Sequence, residues 1–345
     1  MTSPSSPSAA PPSVPQARVD ELQQDAGRSG GVRQLLSGQV AGPLAALILA
    51  VVVFGLTTDT FFKADNFALI LQQSVVVGTV AIGQTLIILT AGIDLANGAI
   101  MVMGAVVVGK FALDGNPLVA LILGAVVCIA LGLINGTLVS VFSLPPFIIT
   151  LGMLSVVTAA ARLYTGSQSY PIDAPLLTVL NEGPQIGGTT ITYGVMLWIV
   201  MTLVITYVLS QTSWGVKVYA VGDNPVSARL AGVKTRRVLL FVYAIAGLIY
   251  AFGTWQALGR TPTADPSSYA TLNLDSITAV VIGGTSLFGG RGGVIGTFIG
   301  ALIVSVLANG LTQAGIDSLY QQVATGLLIV IAVGVDHVVR RRQVR

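Results

Sequence analysis

Residues 117–142 read PLVALILGAVVCIALGLINGTLVSVF. None of them is charged, and most are Leu, Val, Ile, Ala or Gly. A hydrocarbon core about 30 Å thick needs about 20 consecutive apolar residues in a helix. A helix apolar on every side belongs in a large core or in lipid. This stretch therefore reads as a transmembrane helix, and similar runs extend from it in both directions. The predicted spans are Val40–Thr57, Leu69–Leu89, Gly98–Leu113, Pro117–Phe142, Phe147–Tyr164, Tyr193–Leu209, Val238–Leu258, Leu272–Gly283, Val294–Leu311 and Tyr320–Val339. The expected fold class is an all-α polytopic membrane protein with about ten transmembrane helices.

Composition agrees. The chain has 345 residues, of which 9% are charged and 53% hydrophobic. Soluble domains run near 25% charged. So sparse a set of charges excludes a soluble enzyme, a nucleic-acid binder and a disordered regulator. The net charge of +3 is instead the basic excess of loops that stay in the cytoplasm. With the N-terminus inside and ten crossings, 13 of the 17 basic residues fall on the cytoplasmic side. Lys63, Lys110, Arg162 and Arg260 are the four left outside. The eighth span, Leu272–Gly283, is short and carries Asp275. Were it re-entrant, Arg340, Arg341 and Arg342 would move outside, against the rule. A full crossing completed by irregular backbone buried in protein is the expectation.

Residues 1–39 form a Ser/Pro/Ala-rich segment, expected to be a disordered cytoplasmic tail before the transmembrane domain of residues 40–339. Residues 340–345 make a basic cytoplasmic tail. The single cysteine, Cys128, lies in an apolar run and reads as a packing residue; the single histidine, His337, reads as interfacial. Neither supports a metal or redox site. No GxxxxGK[ST] pattern occurs, so no P-loop holds ATP here. Acidic residues deep in the spans are expected to be absent, with only Asp94 and Asp275 near span ends. That weakens an ion-coupled pump, which uses intramembrane carboxylates.

Three segments carry functional information. The first, residues 81–98, reads AIGQTLIILTAGIDLANG. A helix is expected to end near Thr90 and another to begin near Gly98. Asp94 can accept hydrogen bonds from the free N–H groups at that helix start. Alternatively, Gln84, Thr85, Asp94 and Asn97 present polar groups to a solute path. Asn135 and Asn309, at expected internal positions, are further candidates for that path.

The second segment is the long loop 210–237, centred on GDNPVSARLAG at 222–232. Asp223 or Asn224 suits an N-cap, Pro225 the first helical position and Gly232 the stop. A two-turn helix is predicted that exposes Arg229, buries Val226 and Leu230, and serves as a docking element. The third segment runs from Asp275 to Gly296, with glycine pairs at Gly283-Gly284, Gly289-Gly290 and Gly292-Gly293. It reads as a tight hairpin between crossings or as a hinge or gate.

Together these segments resemble the permease of bacterial ATP-binding-cassette sugar importers of the ribose/xylose/galactoside type. The stretches that carry the resemblance are GQTLIILTAGIDLANGAI at 83–100, LPPFIITLGML at 144–154, YAVGDNPVSARLAGV at 219–233 and ITAVVIGGTSLFGGRGGVIGTFIGALI at 277–303. Arg291 occupies the basic position between the glycine pairs that the family pattern leads one to expect. The resemblance implies a type II importer-like permease fold in the bacterial inner membrane, with both termini cytoplasmic. It implies a second permease chain, identical or different, and a cytoplasmic ATPase that binds ATP and Mg. It also implies an extracytoplasmic binding protein that meets loops 165–192 and 259–271. Gly222, Asp223, Asn224, Pro225, Arg229, Leu230 and Gly232 would then build the coupling helix. Gly283, Gly284, Gly289, Gly290 and Arg291 would form the hinge or gate. The chain itself is expected to be no enzyme and to hold no cofactor. Two other readings are an ion-coupled carrier or channel acting without an ATPase, and a membrane scaffold.

Overall fold

The structure, a computed structural model, describes residues 40–58, 60–317, 319–327, 330 and 334. The predicted tails 1–39 and 340–345 and much of the predicted span Tyr320–Val339 lie outside the described residues. The chain forms helices α1 (Ala41–Thr57), α2 (Ala64–Leu89), α3 (Asn97–Ala112), α4 (Pro117–Ser140) and α5 (Pro146–Thr165). A short α6 (Pro175–Thr178) precedes α7 (Tyr193–Gln211), α8 (Ser213–Asp223), α9 (Pro225–Leu230) and α10 (Thr235–Arg260). The series closes with α11 (Leu272–Ile282) and α12 (Val294–Gln313). Among the described residues, six helices are long and apolar enough to cross a membrane: α2, α4, α5, α7, α10 and α12.

Local chemistry sets the helix starts. Asn116 caps α4 by accepting from the Leu118 amide at 2.8 Å, with Pro117 at the first helical position. Thr192 caps α7, and Thr212 caps α8 by accepting from the Gly215 amide at 3.3 Å. These side chains satisfy amides that have no intrahelical partner. α5 ends on Gly166, whose φ of 60° gives the left-handed stop.

The hydrophobic effect does not hold such helices together, because lipid tails are as apolar as leucine; close packing does. α2 and α12 form the centre, each with 61% of its most apolar window buried, whereas α5 buries only 17%. α4 and α10 pack backbone to backbone. A Cβ at Gly132 would lie 2.5 Å from the Tyr243 carbonyl, and one at Gly247 would lie 2.6 Å from the Cys128 carbonyl. Cys128 is fully buried, as expected of a packing residue. The Trp198 and Phe298 rings stack at 4.2 Å, joining α7 to α12.

Two small strand pairs close one end of the bundle. β1 (Tyr170–Pro171) pairs antiparallel with β4 (Thr263–Ala264), and β2 (Gln185–Ile186) pairs with β3 (Thr189–Thr190). The first pair ties together the two predicted outer loops. The short predicted eighth span is observed as α11, an 11-residue helix. Ala264 pairs with Tyr170 at the β1–β4 end, while Gly290 donates to the Leu89 carbonyl beside α8 at the opposite end. The intervening chain therefore runs from one end to the other. α11 supplies about 16 Å of that path at 1.5 Å per residue, and residues 265–271 complete it without regular helix.

Candidate functional site

α2 ends at Leu89, and the chain turns back through Ala91, where φ is +61°. Residues 92–96 then return alongside the last turns of α2, and α3 begins at Asn97. This fold-back carries Asp94 into the bundle, where it is 1% exposed. The Asp94 carboxylate accepts from the Ala96 amide at 2.8 Å and from the Tyr250 hydroxyl of α10 at 3.0 Å. Asn97 donates to Ser276 Oγ of α11 at 2.8 Å, and its Nδ2 lies 3.0 Å from the Gln84 carboxamide. Turned to satisfy its neighbours, Gln84 pairs both backbone groups of Asp94, at 3.0 and 3.3 Å. Four elements thus meet in one buried polar node: α2, the fold-back with α3, α10 and α11.

The node connects to the opposite side of the fold-back. Residues 284–293, between α11 and α12, fold against it. Gly290 donates to the Leu89 carbonyl at 3.0 Å, and the Tyr219 hydroxyl of α8 donates to the Gly292 carbonyl at 2.9 Å. Burial raises the Tyr219 hydroxyl above the ordinary tyrosine value, so it remains a neutral donor. Gly289 and Gly290 have φ of 82° and 72°, and a Cβ at Gly290 would lie 2.9 Å from the Asp223 Cα. The glycine-rich segment is therefore a fitted plug between α8 and the end of α2. Arg291 lies in this segment; its amide-neighbouring carbonyl accepts from the Ser286 amide at 3.1 Å.

α9 projects from the same region. The Asn224 side chain caps it, accepting from the Val226 and Ser227 amides at 3.0 and 2.9 Å. Pro225 occupies the first helical position, and Gly232 at φ +85° ends the motif.

The model of the family described as "Branched-chain amino acid transport system / permease component" matches residues 66–333. The chain belongs to this permease family. It is 44% identical over 315 residues to the fructose import permease protein of Rhizobium meliloti, covering 89% of this chain and 88% of the relative. It is 36% identical to the ribose import permease protein of Bacillus subtilis, covering 92% and 98% of the two chains. The ribose import permease protein of Escherichia coli K12 is 34% identical, over 85% and 92%. No solved structure matches the chain. The matched region of this permease contains the node, the glycine-rich plug, α8 and α9. With its apolar helices, family membership makes the chain a multi-pass membrane protein.

The permease departs from the sequence-based expectations in particular places. Val226 and Leu230 are not buried; they are 65% and 85% exposed, and Ala228 is the buried residue of α9. α9 touches the bundle on one narrow side only, so its larger apolar groups point away. Loop 210–237 holds a second helix, α8, whose signal was Thr212 as a cap ahead of alternating apolar residues. Asp94 is not near a span end, because the fold-back brings it inward. The polar candidates do not form one line. Gln84, Asp94 and Asn97 meet at the node, but Thr85 faces α12 and shares a 2.7 Å hydrogen bond with Thr297. Asn309 lies towards the β1–β4 end, 3.1 Å from the Gln313 amide. Asn135 is buried on α4 with no hydrogen-bond partner among the described residues. Gly283 packs tightly on Gly296 of α12, and Gly284 takes a φ of 83° at the turn after α11. Tyr219, Tyr250 and Ser276 were not anticipated, since each acts through a partner distant in sequence.

Proposed function

We propose that this chain is the membrane-spanning permease subunit of an ATP-binding-cassette importer for a monosaccharide or related polyol. The family description names branched-chain amino acids, but the relatives that align along most of both chains are named for fructose and ribose import. That naming favours a sugar. In this reading an extracytoplasmic binding protein delivers the sugar, and a partner ATPase holding ATP and Mg supplies the energy. A second permease chain completes the pore. The α8–α9 end faces the cytoplasm of a bacterial inner membrane, and the β1–β4 end faces outward. The basic residues Lys217, Arg229, Lys234, Arg236 and Arg237 around α9 support that orientation. The alternation of the described elements between the two ends supports ten crossings of the type II importer kind.

The observation that carries this reading is α9 itself. It is rigidly capped at both ends, yet it presents Val226, Arg229 and Leu230 outward. A short helix with protruding apolar groups and a cation suits a cleft in a partner that hydrolyses ATP. An ion-coupled carrier has no use for such a surface. In proteoliposomes holding the full complex, Leu230→Asp and Arg229→Glu should each lower sugar uptake roughly tenfold, as loss of an interface hot spot does. Membrane insertion should be unchanged. Normal coupled uptake in both variants would rule out docking through α9. Uptake by the permease alone under an ion gradient would favour the carrier.

A further inference from the structure

α3 and α11 begin side by side and run in opposite directions. A Cβ at Gly98 would lie 3.2 Å from Leu272 Cβ and 3.5 Å from the Asn273 amide nitrogen. α3 then rises to Gly109, which packs on Ala264 of β4. α11 descends to Gly283, beside the plug. The two starts therefore lie deep in the bundle, between its ends.

Above them is a cavity of about 460 Å³, within the range of small-molecule sites. Its floor is Gly98, Ala99 and Asn273, and its walls are α5 and residues 266–270. Ser155, Thr158 and Arg162 project from α5 into one wall, and Ser268 and Tyr269 form the other. Asn273 is 9% exposed, and no acidic residue lines the space. Tyr269 takes a φ of +56°, uncommon for a bulky residue and costly unless the surroundings enforce it. The Ser267 amide to Asp265 Oδ1 bond at 2.7 Å and the Ser268 Oγ to Asp265 carbonyl bond at 2.8 Å enforce this turn.

Towards the α9 end the cavity is closed. Asn97, adjoining Gly98, donates to Ser276 Oγ and lies against Gln84 in the node. The cavity thus lies on the β1–β4 side of a buried hydrogen-bonded floor, with Arg162 in the last turn of α5 and residues 266–270 just after β4 among its lining. Among apolar neighbours such as Val102 and Leu154, the cavity offers hydroxyls, an amide, a guanidinium and an aromatic ring, a mixture that matches a neutral polyhydroxylated solute. Such a solute offers many hydrogen-bonding groups and an apolar face.

We propose that this cavity is the permease's own outward-facing sugar subsite, with the Gln84–Asn97–Ser276 node as its inner gate. The proposal rests on the import reading. The experiment uses the full complex in proteoliposomes, with ribose and fructose as probes. Cys128 is buried, so Ser155→Cys and Ser268→Cys each introduce an accessible thiol. A membrane-impermeant maleimide added from the outer side should label both. Millimolar amounts of the imported sugar should slow that labelling by about threefold, as partial occupancy of a weak site would. Gly187→Cys, in the β2–β3 turn and outside the cavity lining, should label with no sugar effect. Thr158→Trp, which fills the space, should lower uptake at least about tenfold while the complex still assembles and hydrolyses ATP. Labelling at neither cysteine would mean that a second chain or lipid covers the cavity, and would overturn the subsite. Labelling indifferent to sugar, or normal uptake by Thr158→Trp, would also overturn it. If the unsubstituted complex imports neither sugar nor any other monosaccharide tested, the import reading itself fails and the subsite falls with it.

Discussion

Asp94 and Asn135 are both buried polar residues, and their surroundings give them opposite standing. Asp94 has the Tyr250 hydroxyl, the Ala96 amide and a helix start around it. Removing one partner strands the other, and an unsatisfied buried group costs about 1–3 kcal/mol. Asp94→Leu should therefore lower the thermal midpoint of the detergent-solubilised protein by several degrees, and Tyr250→Phe by less. Equal midpoints for both variants and the unsubstituted chain would show that the carboxylate is not held as described. Asn135 has no partner among the described residues. Asn135→Leu removes an uncompensated polar group, so it should be neutral or stabilising by about 1 kcal/mol, with uptake retained. A marked loss of uptake would place Asn135 on the solute path.

At the scale of elements, the glycine-rich plug and α9 act together. The plug bonds to the end of α2 through Gly290 and to α8 through Gly292. α8 leads directly into α9, so a displacement of α9 reaches the fold-back carrying Asp94 through a short series of fitted contacts. The cap on α9 sets how rigid that lever is. Asn224→Ala removes two hydrogen bonds at the helix start, at a cost of about 1 kcal/mol. Its ratio of sugar moved to ATP hydrolysed should fall, whereas Asn224→Ser should keep most of it. An unchanged ratio in the alanine variant would mean that the cap has no part in coupling.

At the scale of the whole molecule, the ends of the bundle differ in kind. One carries the β1–β4 and β2–β3 pairs, the other α8, α9 and the plug. Impermeant thiol reagents test the assignment of sides. Gly187→Cys, at the tip of the β2–β3 turn, should react in intact cells. Ser227→Cys on α9 should react only after the membrane is opened. The reverse pattern would invert the topology.

The sequence by itself determined the class and most of the elements. Uncharged runs such as 117–142 can only lie in lipid or a core, and caps such as Asn116, Asn224 and Gly232 act within a few residues of their own position. α3, α9 and α11 were legible for that reason, as was the break between α2 and α3. Tertiary structure alone decided what those elements bring together. Asp94 meets Tyr250 across 156 positions and Asn97 meets Ser276 across 179. No local pattern encodes such pairs, because they depend on how the helices pack. Likewise the serines and threonines of α5 face the 266–270 turn only once α3 and α11 have met. The outward face of Val226 and Leu230 follows from the narrow seat of α9 on the bundle. Hydropathy determines which residues enter the membrane, while close packing of small residues determines which polar groups meet there.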